Sequence, residues 1–152
     1  MTRFEYHRTL APMMWALASI ATVELLAVHL LISLRWPLVA WPLTLLSAAG
    51  IAWIVVLIRS FERLPHTLSA DVLTLRAGRL RQFSVQRRDI AGIRSSWDSG
   101  AEKGPETSNL ALITYPKRIV DLATPIITRR GLVRHIAIAL DDPAAFDLAL
   151  GA

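Results

Sequence analysis

The run LAPMMWALASIATVELLAVHLLISL, residues 10–34, decides how this chain is organised. Apart from Glu24 and His29 it is almost uninterrupted apolar sequence. About 20 such residues in a helix cross the roughly 30 Å hydrocarbon core of a bilayer. The run exceeds the ~7–15 residue apolar region of a signal peptide, and a second apolar run, residues 41–58, follows it. The first run is therefore expected to stay uncleaved, and both runs are expected to be transmembrane helices. Only Arg35-Trp36-Pro37-Leu38 and two further residues separate them, which forces an antiparallel hairpin. Pro37 cannot continue the first helix, and Pro42 suits the first turn of the second. Trp36 and Trp41 then fall at one interface and Trp15 and Trp53 near the other, as in an aromatic belt.

The flanking charges give an orientation. Arg3 and Arg8 precede the first helix, Arg59 and Arg63 follow the second, and the turn between them has only Arg35. The positive-inside rule predicts that residues 1–9 and residues 60–152 both lie in the cytoplasm. Hydrophobic residues are 53% of the 152, and the excess sits before Ser60. The chain has no cysteine, which excludes disulfides, thiolate metal sites and cysteine nucleophiles. Its formal charge is +5, and most of the 17 basic and 12 acidic residues follow Arg59. A basic domain held beside a membrane is drawn to anionic lipid, although the same charge also serves ordinary solubility.

Glu24 and His29 do not belong in hydrocarbon. An ionisable group at that depth costs roughly 2.5–3.5 kcal/mol on insertion scales, which marks both as intramembrane polar site candidates. Five residues apart on a helix, they point about 140° away from each other, so Thr44, Ser47 or a second copy of the chain are better partners for them. Glu24 has two open roles: a protonated side chain that glues neighbouring helices together, or a proton or ligand site. The small residues Ser47-Ala48-Ala49-Gly50, with Ala52 beyond them, permit close helix contact within the hairpin or outside it.

From His66 the pattern changes to short strands. Val72 to Arg76 places Leu73 and Leu75 on one face, Ala77-Gly78 is a turn, and Arg79 to Val85 returns as a second strand with a bulge near Leu80 and Phe83. Asp89 to Trp97 is a third strand. Leu110 to Tyr115 and Arg118 to Ala123 read as a pair joined across Pro116-Lys117, and His135 to Leu140 as a further strand. Residues 98–108 are polar and contain glycine, and are expected to form an exposed loop. Asp142 suits a helix N-cap and Pro143 a first helical position, so a helix is expected over Ala144 to Leu150, docking Phe146 and Leu150 on the sheet. Asp141-Asp142 has no further metal ligand nearby in sequence, and no metal site is expected.

The passage Leu73-Thr74-Leu75-Arg76-Ala77-Gly78, then Phe83-Ser84-Val85, Asp89-Ile90 and Ile93, and finally Ile138-Ala139-Leu140-Asp141-Asp142-Pro143-Ala144-Ala145-Phe146, resembles the bacterial pleckstrin-homology-like domain. That domain often follows a pair of membrane helices. The resemblance covers roughly residues 60–152. It implies a bent, seven-stranded antiparallel barrel closed by the C-terminal helix, a bacterial cytoplasmic membrane location, and no catalytic residues. The eukaryotic lipid-binding version uses a basic first loop for inositol phosphates. Here the long loop sets Lys103 against Asp98, Glu102 and Glu106, which counts against phosphoinositide recognition.

No phosphate loop, zinc-protease helix, nucleophile elbow or dinucleotide fingerprint is present. His7, His29, His66 and His135 lack metal-ligand spacing. The pairs Arg87-Arg88 and Arg129-Arg130 have no interleaved aromatics for stacking bases, so no nucleic acid partner is expected. Arg76, Arg79 and Arg81 bracket one hairpin turn, with Arg87 and Arg88 after the next strand, and Arg76 and Arg79 are expected to be neighbours. These five arginines are the candidate lipid or partner surface. The leading expectation is a non-enzymatic membrane protein, without cofactor, that presents its β domain to anionic lipid or to another membrane protein, itself included. The alternative is a small or proton-linked subunit of a membrane complex that works through Glu24 and His29. An enzyme is the third reading.

Overall fold

A computed structural model describes residues 2–129 and 131–151. Two long apolar helices come first, α1 (His7–Ser33) and α2 (Pro37–Arg63), packed against each other. Their connection is tight: the Trp36 N–H already donates to the Ile32 carbonyl at 2.7 Å. Pro37 takes the first position of α2, where its missing N–H leaves no carbonyl unpaired. The second helix therefore begins four residues earlier than the sequence pattern indicates. Pro42, expected in its first turn, lies inside it, just as Pro12 lies inside α1. α2 also continues past Ile58 to Arg63, so the β domain begins at His66.

Both helices are long and apolar enough to cross a membrane. Only 6% and 11% of their most apolar windows are buried within the molecule. A helix that served as the core of the β domain would be covered by it. Here Leu31, Leu34, Leu38 and Leu46 stay bare.

Among the described residues, eight strands form two four-stranded sheets. The first contains β1 (Thr2–Phe4), β2 (His66–Leu68), β3 (Val72–Ala77) and β4 (Arg81–Gln86), antiparallel and in that order. β1 comes from before α1 and β2 from after α2, and Arg3 faces Thr67 across them. The helix hairpin is thus joined to one sheet at both of its ends. The second sheet contains β5 (Ile90–Arg94), β6 (Thr107–Asn109), β7 (Arg118–Thr128) and β8 (Gly131–Ile138), in the order β5-β7-β8-β6. The β6–β8 pair is parallel and the others antiparallel. The resemblance implies seven antiparallel strands; recruitment of the N-terminal strand and the parallel β6 are the differences.

One core is shared by both sheets and by α3 (Pro143–Leu150). Leu73, Leu75, Val120, Ile136, Ile138 and Phe146 are all fully buried in it. The expected alternation of β3 holds, and so does the expected start of α3: Asp142 Oδ1 accepts the Ala145 N–H at 3.0 Å, and Pro143 opens the helix. The Phe146 ring meets Phe4 of β1 edge-on, with centroids 5.1 Å apart. A second, smaller cluster of Tyr6, Leu10, Leu57, Phe61, Ala111 and Ala139 cements the helix ends to the domain.

Three expectations fail for local reasons. Leu110 to Tyr115 is not a strand. Asn109 Oδ1 accepts the Ala111 N–H at 2.8 Å, Thr114 donates its N–H and hydroxyl to the Ala111 carbonyl, and Leu112 turns to φ 57°. Side chains that hydrogen-bond nearby backbone displace the ladder here. β7 pairs instead with β5 and β8. Residues 98–108 are not simply an exposed loop: a 3-10 turn at Ala101–Lys103 buries Glu102, which accepts the Gly100 N–H at 3.2 Å, and β6 follows. Finally, β3 and β4 run in register from Val72–Gln86 to Ala77–Arg81 with no bulge, because Arg79 and Leu80 belong to the turn. The register shifts lie between β5 and β7 and between β7 and β8.

Candidate functional site

Glu24 and His29 line one cleft of about 190 Å³ between the helices, together with Val28, Leu43, Thr44 and Ser47. His29 Nδ1 lies 2.5 Å from Thr44 Oγ1, and that hydroxyl donates to the Ala40 carbonyl at 2.8 Å. A hydroxyl has a single proton to give. When Thr44 gives it to Ala40, it accepts from a hydrogen on His29 Nδ1. Trp41 meets the imidazole edge-on at 5.3 Å. No hydrogen bond or ion pair joins Glu24 to His29 among the described residues. The hairpin thus pairs His29 with Thr44, one of the three partners expected from sequence, and leaves the Glu24 side chain at the rim of the same cleft.

At the other end of the hairpin the helices meet the domain through Tyr6 and His66. The Tyr6 hydroxyl accepts the Gly78 N–H at 2.8 Å and donates to the Leu64 carbonyl at 3.1 Å. Its ring stacks on His66 at 4.5 Å. His66 Nδ1 accepts the Arg76 N–H at 3.0 Å, so Nε2 carries the hydrogen and donates to the Ala139 carbonyl at 3.3 Å. Burial, which disfavours the charged imidazolium, lowers the His66 pKa to about 4. Burial also raises the Tyr6 pKa. Both groups stay neutral in this junction. Gly78 is held there by space as well as by its φ of 52°, since a Cβ would lie 2.5 Å from Ser60 Oγ and 2.7 Å from the Phe61 ring.

The five candidate arginines do not form one patch. Arg79, in the β3–β4 turn, shares a cleft of about 320 Å³ with Arg59, Arg63, Val56, Ser60 and Leu64. No acidic side chain lines this cleft, and none of its three arginines makes an ion pair among the described residues. Arg76 faces Gln82 across the strands, where Arg79 is expected from the hairpin; its guanidinium Nε is buried without a hydrogen-bond partner among the described residues. Arg81 lies on a different cleft with Phe83, Thr107 and Arg129. Arg87 lies beside Gly151 at the C-terminal end of α3, where a cation is favoured by the helix dipole, and Arg88 is exposed. Arg130 lies outside the described residues. The Arg59–Arg63–Arg79 group is invisible in linear sequence because a β turn supplies one member and a helix end the other two.

Two further clusters arise only through folding. Arg94, Asp121 and His135 meet across β5, β7 and β8: Asp121 Oδ1 accepts from Arg94 and from His135 Nδ1, each at 2.7 Å. Glu5, His7 and Asp141 bring donor atoms within 4.8 Å of one another, a set that could hold a metal ion. Sequence spacing misses it, because Asp141 is far along the chain from the other two. Here Asp141 Oδ2 accepts the Arg8 N–H at 3.2 Å at the start of α1, and the Arg8 guanidinium lies 3.6 Å from Glu5. Both carboxylates thus already serve the helix start and Arg8. Comparison of the chain with protein-family models, with curated proteins and with solved structures finds no match.

Proposed function

We propose that this chain is a non-enzymatic integral membrane protein of a bacterial cytoplasmic membrane. α1 and α2 span the bilayer, both termini lie in the cytoplasm, and the β domain, a pleckstrin-homology-like barrel, is presented at the inner surface to anionic lipid or a protein partner. The observation that carries this reading is a combination at one level of the molecule. Two bare apolar helices end in a domain joined to both of them, and unpaired Arg59, Arg63 and Arg79 surround their exit. Anionic lipid is worth about 1 kcal/mol per nearby basic residue, so three arginines at a fixed depth would hold the domain face-down. The arginines sit on rigid elements, the end of α2 and a turn packed on it, so little ordering cost opposes the contact.

Cysteine accessibility tests the topology, since the chain has no cysteine of its own. Leu38→Cys, in the first turn of α2 beside the connection between the helices, should react with an impermeant maleimide in intact spheroplasts. Leu148→Cys should react only after lysis. The reverse pattern would overturn the orientation. For the surface, thermal unfolding in a neutral detergent should shift upward when anionic phospholipid is added. The shift should shrink with Arg59→Gln and Arg79→Gln together and with rising salt. Equal shifts from neutral lipid would favour the protein partner.

A second reading has its own observation. Glu24 and His29 share one cleft with Thr44 and Ser47, the arrangement a proton-linked subunit of a membrane complex would use. Glu24→Gln separates the two readings: it would abolish a proton-linked role and leave lipid-dependent stabilisation unchanged.

A further inference from the structure

Residues 110–115, LALITY, are as apolar as a core strand, yet only the first two are buried. Leu112 is 37% exposed, Ile113 46% and Tyr115 67%. Leu112 adopts φ 57°, a left-handed conformation that costs a side-chain-bearing residue about 1–2 kcal/mol. Asn109 and Thr114 hold the turn in place through their hydrogen bonds to Ala111. The chain therefore spends strain to turn large apolar side chains away from the core.

The location of this turn gives the reason. Its segment is pinned at both ends against the helices. Ala111 packs with Tyr6, Leu10, Leu57 and Phe61 at the helix ends. Lys117 lines a cleft with Arg8 and Thr9 of the first turn of α1. Leu112 and Ile113 are one and two residues beyond Ala111, so their backbones lie within about 7 Å of that contact residue. On the helices, Met13 and Leu17, in the two turns after Leu10, and Val56, next to Leu57, are exposed apolar side chains. Tyr115 stacks on Trp97 with centroids 6.0 Å apart and planes 14° apart. Tyrosine and tryptophan favour the headgroup level of a bilayer, and apolar side chains beside a basic residue favour the boundary just beneath it.

We propose that Leu112–Tyr115 is an interfacial foot. Leu112 and Ile113 insert into the headgroup–acyl boundary of the bilayer that α1 and α2 cross, and the Trp97–Tyr115 stack rests at headgroup level. The proposal depends on the membrane-spanning reading of the helices. Two helices fix where the domain is tethered; a third point of contact fixes its tilt.

The absence of native cysteine allows single spin labels on the full chain in nanodiscs. Ile113→Cys and Tyr115→Cys are the reporters, Ala70→Cys in the exposed turn between β2 and β3, at the opposite end of β3 from Gly78, is the aqueous control, and Val23→Cys in α1 is the hydrocarbon control. Labels at 113 and 115 should be more accessible to dissolved oxygen than to a water-soluble nickel chelate, with 113 deeper than 115. The label at 70 should show the opposite preference. If 113 matches 70 while 23 reports hydrocarbon, the foot is refuted and the membrane reading stands. If 23 also reports water, both fall together. A label at 113 shielded from both reagents would place protein, not lipid, on this turn and would overturn the proposal.

Discussion

The Tyr6 ring, one residue before α1, stacks on the His66 ring at the start of β2, with planes 20° apart. The two ends of a 27-plus-27-residue helix hairpin are thus locked face to face inside the β domain. Movement of either helix relative to the other would have to break this contact, the Tyr6 hydrogen bonds and the β1–β2 pairing together. The domain and the hairpin therefore behave as one mechanical unit.

Tyr6→Phe removes only the hydroxyl. It leaves the Gly78 N–H and the Leu64 carbonyl without their partner, and a buried group left unsatisfied costs about 1–3 kcal/mol. Thermal unfolding of the full chain in detergent should show a lower Tm for the variant. An unchanged Tm would mean that water replaces the hydroxyl.

Gly78→Ala should destabilise more than a turn glycine in open space. The new methyl would need φ 52° and would strike Ser60 and Phe61 at the end of α2. Overpacking of this kind costs about 1–3 kcal/mol. Gly100→Ala, at a positive φ in open space, is the control that isolates the conformational part. Denaturant unfolding should rank Gly78→Ala below Gly100→Ala, which in turn ranks below the parent.

His66 makes stability depend on pH. Its folded pKa is about 4, against an ordinary value of 6.5, so the unfolded chain binds the extra proton between those two values. The contribution is complete above about pH 6.5, declines as pH falls toward 4, and levels off below that, a loss of about 3 kcal/mol at full protonation. His66→Gln keeps a donor and an acceptor but does not titrate. Its unfolding free energy should vary less between pH 6.5 and 4 than that of the parent, and equal slopes would remove His66 as the cause.

Asp147 accepts both nitrogen arms of Arg118 at 2.7–3.1 Å and ties α3 to β7. Asp147→Ala strips a bidentate, charge-assisted contact from a half-buried arginine. A loss of about 1–3 kcal/mol is expected, together with faster amide exchange across α3 than across β3. Uniform exchange in both elements would show that α3 opens only with the whole domain.

Glu24→Leu probes the helix cleft. If the carboxyl group faces protein from a neighbouring helix, the variant should lower crosslinked assembly in membranes, while Leu25→Ala should leave it unchanged. Unaltered assembly and stability would make Glu24 a tolerated passenger.

Sequence by itself determined the two helices, the strands around Leu73, Val85, Ile93 and Ile136, and the capped start of α3. Each is written in contiguous periodicity or in a cap residue next to its helix, and local physics needs nothing more. It also identified Glu24 and His29, because a polar residue in an apolar run is conspicuous without any knowledge of the fold. Tertiary structure alone decided the rest. β1 is three residues long, too short to show a period, and exists only because β2 offers an edge to pair with. Leu110 to Tyr115 carries a strand's composition, but Asn109 and Thr114 claim its backbone, and the helix ends claim Ala111. The basic cleft, the Tyr6–His66 stack and the Arg94–Asp121–His135 network each join residues from separate elements. Their proximity is set by long-range packing, which leaves no mark at any fixed spacing along the chain.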